Sequence, residues 1–293
     1  MFIDSASLGS MAPTGQCGAY GFRIVPSDPS VVLPGLIPMA EDADEAHIAW
    51  AQASPPQDEL EVTEDRVRVS VKDHVTIDVV RSSRSAFVAL PEALTPEAVV
   101  HPVATTPLAI LARWRGNATL HAGAVLHDGG AYAVCGGQGA GKSTMLALLA
   151  QLGLPIVADD LLVVDSGDAL TGPSCVDLRP DTAPLFPEAC FLGTVGRRQR
   201  FRLSTPSAPA RVPLRGLFLL EWSTDAESRV SPLTLQERAS VVHGFDYAAM
   251  VGLARPDALL DMLELPMWRL SRPKDWESTP RTLDRLLTTA ATH

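Results

Sequence analysis

Apolar and polar residues alternate over short runs in the first part of the chain, residues 1–115. In one such run, Val67, Val69 and Val71 alternate with arginine and serine, which is the period-two pattern of a strand with one buried face. Turn-rich pieces such as PSDPS and ASPPQDE separate the runs. The pattern predicts a β-rich domain with strands at Tyr20–Val25, His47–Ala51, Leu60–Val71, Val75–Val80 and Ala86–Leu90, followed by a helix at Pro107–Trp114.

The pattern changes in residues 116–293, where apolar runs alternate with stretches that favour helix. Ala131–Cys135 predicts a buried strand, and Ser143–Leu152 predicts a helix that Gly153 and Pro155 end. Further strands are predicted at Pro155–Ala158, Leu161–Asp165, Leu217–Leu220 and Met267–Leu270, and further helices at Leu235–Gly252, Pro256–Leu263 and Pro280–Thr288. The sequence therefore predicts an α/β domain over 116–293, preceded by a smaller β-rich domain over 1–115.

Composition narrows the class of protein. Hydrophobic residues make up 46% of the chain and charged residues 20%, which is typical of a globular protein. The net charge of −10 argues against nucleic acid as a partner, because few basic residues are available to replace counterions on phosphates. No apolar run approaches the roughly 18 residues of a membrane span, and the N-terminal residues lack the pattern of a signal peptide. We therefore expect a cytoplasmic protein with no membrane partner. The four cysteines show no metal-binding spacing.

Residues 136–143 read GGQGAGKS and satisfy the phosphate-loop pattern of a nucleotide-binding protein. Glycines let the backbone turn its N–H groups toward a polyphosphate, and the following helix presents its positive end to the same anion. Lys142 is predicted to reach the terminal phosphates of ATP, and the Ser143 hydroxyl to bind Mg²⁺. A glycine-rich turn with a chance lysine is the alternative, but the flanking strand and helix favour nucleotide binding. The predicted binding residues are Gly136, Gly137, Gln138, Gly139, Ala140, Gly141, Lys142, Ser143 and Thr144.

Two adjacent acids, Asp159 and Asp160, follow the apolar run LPIVA. Asp160 lies 18 residues after Lys142. One acid at this place can bind Mg²⁺ while the other accepts a proton from an attacking hydroxyl. The alternative is a solvated turn. His121 precedes Lys142 by 21 residues, and taken alone a single histidine beside small residues is usually structural.

The segment from Leu120 to Asp160 resembles the core of the HPr kinase/phosphorylase superfamily, which combines a His-Ala-Gly start, a short hairpin, a phosphate loop, a helix and an Asp-Asp pair. The resemblance implies an HPr-kinase-like P-loop domain with Asp160 as the proton acceptor and His121 beside the pair. It leaves Asp159 to orient His121, a water or the metal. The expected catalytic residues are therefore Asp160, His121, Asp159 and Lys142, and the expected metal ligands are Ser143 and Asp159.

A broader resemblance extends to stand-alone HPr-kinase-like proteins, including kinases encoded with lasso-peptide biosynthesis enzymes. It rests on YGFRIVPSD, on DLRPD at Asp177–Asp181, on the basic segment GRRQRFRL and on LPMWRLSRP. The glycine-rich segment that HPr kinases carry after the aspartate pair has no counterpart here, so HPr is not the expected substrate. A second metal ligand is unassigned, with Asp181 and Glu188 as candidates.

A basic cluster stands out in this acidic protein. It consists of Arg197, Arg198, Arg200 and Arg202, and it predicts either a clamp for phosphate or an acidic peptide, or a solvated basic loop. The five tryptophans are scattered and are predicted to pack in the core or between domains.

These features predict a kinase that transfers the γ-phosphoryl group of ATP to a hydroxyl, preferably serine, of a peptide or protein such as a lasso-peptide precursor. Two alternatives stay open: an ATP-binding regulator without transfer, and a kinase for a small hydroxylated molecule. Assembly into a homo-oligomer is also left open.

Overall fold

The computed structural model describes residues 16–195, 198–247, 249, 252–253 and 256–292. Within these ranges the chain is a mixed α/β protein whose first strands form one sheet. They are β1 (Cys17–Ala19), β2 (Phe22–Pro26), β3 (Ile37–Pro38), β4 (Asp44–Gln52), β5 (Glu59–Val62), β6 (Arg66–Val71), β7 (Val75–Val80) and β8 (Ser85–Leu90). Their order across the sheet is β3-β1-β2-β4-β8-β7-β6-β5, with parallel pairing of β2, β4 and β8. Period-two patterning thus correctly located most of this sheet.

The predicted strand Leu60–Val71 is wrong in one respect, because the structure divides it into β5 and β6. A turn at Thr63–Asp65 reverses the chain, and the Thr63 hydroxyl accepts a hydrogen bond from the Arg66 amide at 2.9 Å. The two halves then pair with each other as an antiparallel hairpin. Four consecutive polar residues, Thr63 to Arg66, interrupt the alternation at this turn and mark the reversal.

Helices connect this sheet to the rest of the chain. A short helix α1 (Pro96–Ala98) and an irregular segment, Val99–Val103, lead into α2 (Thr105–Trp114). The second part then contributes β9 (Ala118–Leu120), β10 (Gly123–His127), β11 (Gly130–Cys135), α3 (Lys142–Gln151), β12 (Ile156–Ala158), β13 (Leu162–Asp165), β14 (Asp168–Leu170), β15 (Cys175–Leu178), β16 (Cys190–Val195), β17 (Arg198–Ser204), β18 (Arg211–Ser223), β19 (Arg229–Pro232), α4 (Leu235–Gly244), a 3₁₀ segment (Pro256–Glu264), β20 (Met267–Pro273) and α5 (Thr279–Ala291).

Two of the predicted helices differ from the structure. The helix predicted over Leu235–Gly252 ends at Gly244, where glycine offers no side-chain packing and little helix propensity. Pro256–Glu264 forms a 3₁₀ segment rather than an α-helix.

The second sheet brings several carboxyl ends of strands to one edge. Its order is β12-β10-β11-β18-β14-β13-β9, and β20 pairs with β18. β11, β18 and β20 are parallel neighbours, while β12 runs in the same direction because both β11 and β12 are antiparallel to β10. Ligands of α/β sheets bind outside such carboxyl ends. β15, β17 and β16 form a small third sheet beside this edge.

One buried apolar cluster includes side chains of both large sheets. Phe22 and Ile48 come from the first sheet, Leu120 and Leu162 from the second, and Leu108 from α2 between them. The boundary at residue 115 between two domains stays a prediction. Among the described residues, no helix has the length and apolar character needed to cross a bilayer.

Candidate active site

A cleft of about 650 Å³ lies at the carboxyl edge of the second sheet. It brings together most of the residues that the sequence singled out. Its lining includes Gly137, Gln138, Gly139, Ala140, Gly141, Lys142, Ser143, Thr144, His121, Asp159, Asp160, Asp181, Arg198 and Arg200. Gly136 lies at the base of the loop, directly after β11. Arg197 lies outside the described residues.

The glycine-rich loop joins β11 to α3, and the helix begins at Lys142 without a side-chain cap. Free N–H groups at a helix start form a positive, hydrogen-bonding end that suits a phosphate. Gly141 has a φ of +79°, and a methyl group there would lie 2.9 Å from Nη2 of Arg272. Conformation and space together therefore demand glycine at this position.

Lys142 folds back over the loop, where its Nζ donates to the carbonyl oxygen of Gly136 at 2.8 Å. Burial lowers the pKa of Lys142, against the opposing influence of Cys135 and the two aspartates. The ammonium group therefore lies next to the first residue of the loop, and Lys142 lines the cleft.

Asp159 is fixed on both carboxylate oxygens. Its Oδ1 accepts from the Ser143 hydroxyl at 3.0 Å, and its Oδ2 accepts from the Asp177 amide at 3.0 Å. The side chain is buried, and burial, followed by the neighbouring Asp160, raises its pKa to about 7. The oxygens of Ser143 and Asp159 are thus adjacent, at the start of a helix and at the end of a strand.

Asp160 contacts the other predicted residue, His121, with 3.4 Å between Oδ1 and Nδ1. The φ of Asp160 is +96°, and the amide of Leu161 donates to the Asp159 carbonyl at 2.9 Å across this tight turn. In a regular strand, consecutive side chains point to opposite faces. The turn at Asp160 lets both aspartates face the cleft, at the conformational cost of a left-handed residue that is not glycine.

His121 follows β9, and its amide donates to the Phe245 carbonyl at 2.7 Å. Burial lowers the pKa of His121, while Asp160 opposes that shift. A neutral imidazole beside Asp160 fits these facts, and its contact with the carboxylate limits the orientation of that side chain.

His101 is a site residue that sequence analysis missed. It is 2% exposed, and its Nε2 lies 3.9 Å from Oδ2 of Asp177 and 4.0 Å from Oδ2 of Asp159. Burial lowers the pKa of His101 although Asp177 favours its charged form. The segment VVHPV gave no local signal for this placement. Asp177 itself belongs to the DLRPD piece, whose resemblance to related sequences was the one available signal.

The arginines of the basic cluster lie at different distances from the cleft along β17. Arg198 and Arg200 line the cleft, and Nη1 of Arg200 lies 3.4 Å from Oδ2 of Asp177. Arg202 does not line it, which corrects its assignment to the clamp. Its guanidinium is buried, donates to Asp177 at 2.8 Å and to the Glu97 carbonyl at 2.6 Å, and also contacts the His101 carbonyl. The three share one face of the strand, but Arg202 lies farther from the cleft.

Tryptophan and arginine form the wall next to β18 and β20. Trp222 is 42% exposed, and its Nε1 donates to the Gly139 carbonyl at 2.9 Å. The Arg272 guanidinium stacks 3.9 Å from the centre of the Trp222 ring. Trp276 is also exposed and lines the cleft. The expectation that all tryptophans pack internally is therefore wrong for Trp222 and Trp276.

Metal binding was predicted at Ser143 and Asp159. Among the described residues, no cluster of three or more His, Cys, Asp or Glu side chains is arranged to hold a metal ion. Mg²⁺ usually takes one or two protein oxygens and completes its shell with phosphate and water, so the adjacent oxygens of Ser143 and Asp159 fit this ion. Of the candidate second ligands, Asp181 lines the cleft and Glu188 does not.

No protein-family model and no curated protein matches the chain. Among solved structures, it is similar to the Hpr(Ser) kinase/phosphatase from Coxiella burnetii, at 11% sequence identity, over 60% of this chain and 99% of that chain, with a TM-score of 0.29. At that score the similarity supports no conclusion about function, which has to be argued from the site.

Proposed function

We propose that the protein is an ATP-dependent phosphotransferase that transfers the γ-phosphoryl group to a hydroxyl of a peptide or protein. One observation carries the proposal: a complete phosphate loop and two adjacent aspartates meet in one cleft, with Ser143 and Asp159 already in contact at 3.0 Å. A phosphate loop alone is equally suited to hydrolysis or to regulation. The second acid, exposed in the same cleft, adds a group that can accept the proton of a hydroxyl.

The loop amides and Lys142 bind and orient the phosphates of ATP in this proposal. The Ser143 hydroxyl and the Asp159 carboxylate would hold Mg²⁺, which when bound neutralises charge on the phosphates. Binding of the metal requires Asp159 in its ionised form. Burial and Asp160 raise the pKa of Asp159 to about 7, the hydrogen bond from the Asp177 amide opposes that shift, and a bound Mg²⁺ would favour the ionised form. Asp159 thereby serves the metal, and Asp160 stays available for proton transfer.

Asp160 accepts the proton of the acceptor hydroxyl. The acceptor oxygen forms a new bond to the γ-phosphorus, the bond from that phosphorus to the β–γ bridging oxygen breaks, and ADP leaves. His121 contacts Asp160 at 3.4 Å and orients its carboxylate. Arg198 and Arg200 line the cleft and supply positive charge for the transferred group or for an acidic acceptor.

A serine of a peptide, such as a lasso-peptide precursor, is the acceptor that we favour on the sequence resemblance. The basic side chains of Arg198 and Arg200 in the cleft lining suit a peptide with acidic residues near its hydroxyl.

A direct test combines nucleotide binding with transfer. We expect the full-length protein to bind Mg·ATP in calorimetry, and a set of serine-containing peptides incubated with it to gain the mass of one phosphoryl group in intact-mass spectra. Lys142→Ala should lose binding or transfer and keep its circular dichroism spectrum. Unchanged transfer by a folded Lys142→Ala protein would contradict the phosphate-loop assignment. Binding without transfer to any acceptor would favour a nucleotide-dependent regulator.

A further inference from the structure

The wall of the cleft formed by Trp222, Arg272 and Trp276 has no role in the proposed chemistry. Trp222 lies at the carboxyl end of β18 and Arg272 at that of β20. Asp159 and Asp160 follow β12, on the other side of β11 in the sheet order. The phosphate loop after β11 therefore lies between an acidic wall and an aromatic wall.

Trp222 is held firmly, although much of it is exposed. Its Nε1 donates to the Gly139 carbonyl at 2.9 Å, and its ring edge lies 3.4 Å from where a methyl group on Gly141 would be. The Arg272 guanidinium covers one face of the indole and Nζ of Lys274 lies 6.0 Å from the ring centre, yet Trp222 is 42% exposed. A single exposed aromatic on an open surface needs no explanation. A rigid one that lies within contact distance of a phosphate loop is suited to receive a flat ligand.

Arg272 explains how the ring is kept in place. The residue is only 4% exposed, and its Nη2 donates to the Ala140 carbonyl of the loop. Its Nε and Nη1 have no hydrogen-bond partner among the described residues, and burial lowers its pKa to about 10. A buried cation without a carboxylate is costly, and its main compensation is the stack on Trp222. Such an arrangement makes sense where the orientation of the ring has a function.

We infer that Trp222 is the platform on which the base of the bound nucleotide stacks, with Arg272 fixing the indole against the loop. This inference rests on the proposed function, because it takes a nucleotide in the cleft as its premise. The reacting γ-phosphate must face Asp160, so the nucleoside end extends along the loop toward β18 and β20. There it meets an aromatic face that is already immobilised, which reduces the entropy lost on binding. A purine, with its larger π face, is the base class that this platform favours.

The test compares two probes that differ only in the nucleoside: Mg·ATP and Mg·tripolyphosphate, titrated calorimetrically into the full-length protein. Base–aromatic stacking predicts that Trp222→Ala weakens ATP binding by about tenfold or more. Tripolyphosphate binding should stay within about twofold of wild type, since it makes no stacking contact. Trp222→Phe keeps an aromatic face and should retain most of the ATP affinity. Phe191→Ala, which removes a 57% exposed aromatic outside the cleft lining, is the matched control and should bind both probes like wild type.

Each other outcome overturns the inference in a recognisable way. Equal weakening of both probes in Trp222→Ala would make Trp222 a support of the loop through Gly139. No weakening of either probe would show that the base lies elsewhere. The proposed function fails separately, if the wild-type protein binds neither probe, or if Lys142→Ala binds both probes and transfers phosphate normally. Circular dichroism of every variant shows whether a loss of binding follows from a loss of structure.

Discussion

At the scale of single residues, the two adjacent aspartates have different surroundings and therefore different chemistry. Asp159 is buried, accepts hydrogen bonds from Ser143 and from the Asp177 amide, and has a pKa raised to about 7 chiefly by burial. The Asp160 side chain is 37% exposed in the same cleft and contacts His121. Each oxygen of Asp159 accepts one hydrogen bond and keeps a lone pair, so this fixed carboxylate suits a metal ligand. The more accessible carboxylate of Asp160 suits a proton acceptor.

Asp160→Asn should therefore keep Mg·ATP binding and lose phosphoryl transfer by roughly 10²–10⁴-fold, the usual contribution of a general base. Asp159→Asn should instead weaken the dependence of ATP binding on Mg²⁺. Calorimetry and intact-mass detection of the phosphorylated acceptor measure the two effects on the same protein samples. If Asp159→Asn transfers no phosphate while Asp160→Asn is fully active, the two residues have the opposite roles. Normal transfer by both variants would exclude the kinase mechanism.

Sequence analysis found the residues whose signal is local. The phosphate loop and the aspartate pair lie within about 25 residues of each other in the sequence, so their spacing could be recognised without a structure. His101, Arg272 and Trp222 reach the cleft only through the pairing of distant strands and the packing of the first part of the chain against the second. No rule of spacing connects His101 to Asp159. The single sequence could not reveal these contacts.

At the scale of elements, α3 begins and ends beside glycines that adopt the same backbone conformation for different reasons. Gly141, before the helix, has a φ of +79° and lies against Arg272 and Trp222. Gly153, after the helix, has a φ of +83° and has no atom within 4 Å of the position of a methyl group. Alanine at Gly153 would test only the conformational cost of a left-handed backbone. Alanine at Gly141 would add the cost of a methyl group close to Arg272 and Trp222.

Gly141→Ala should weaken Mg·ATP binding, because its methyl group would lie 2.9 Å from the Arg272 guanidinium and that side chain, which binds the Ala140 carbonyl of the loop, would have to shift. Gly153→Ala is the control, and should cost about 1 kcal/mol of stability without changing nucleotide affinity. Thermal unfolding and calorimetry check both variants. Equal nucleotide affinity in the two variants would show that the close approach of Arg272 to the loop does not affect nucleotide binding.

The start of α4 supports a prediction about pH. Thr234 and Glu237 form a capping box, with 2.8 Å from the Thr234 amide to Oε2 of Glu237, and Arg269 contacts the same carboxylate. Backbone and side-chain hydrogen bonds from Thr234 lower the pKa of Glu237 to about 2 from its ordinary value of 4.5. The stabilisation is complete above pH 4.5 and is lost as the pH falls toward about 2.

Glu237→Gln should accordingly lower the melting temperature relative to wild type near neutral pH, and the difference should shrink steadily as the pH falls from 4.5 toward about 2. Glu64→Gln, the same change in an exposed turn, is the control and should show a smaller difference at neutral pH. A difference between wild type and Glu237→Gln that does not vary with pH would show that side-chain shape, not charge, supports the cap.

At the scale of the whole molecule, Arg202 connects the first part of the chain to the floor of the cleft. Its guanidinium binds the carbonyl of Glu97, contacts that of His101 and pairs with Asp177, whose amide in turn holds Asp159. Burial raises the pKa of Asp177, but His101 and Arg202 outweigh that effect and keep the carboxyl below its ordinary pKa. Sequence analysis placed this arginine in the same group as its neighbours, because only strand register shows that Arg202 lies opposite Asp177.

Arg202→Gln should be strongly destabilising, by about 3 kcal/mol or more, since it leaves a buried carboxylate without its cation. The matched control is Arg211→Gln, which removes an exposed arginine that pairs with Asp165 at 2.8 Å and should cost less than about 1 kcal/mol. Urea unfolding measures both free energies. Adding Asp177→Asn to Arg202→Gln should recover part of the lost stability, because it removes the unpaired charge. If Arg202→Gln is no more destabilising than Arg211→Gln, the link from Glu97 and His101 through Arg202 to Asp177 does not stabilise the fold. The placement of Asp159 must then depend on its own strand and on Ser143.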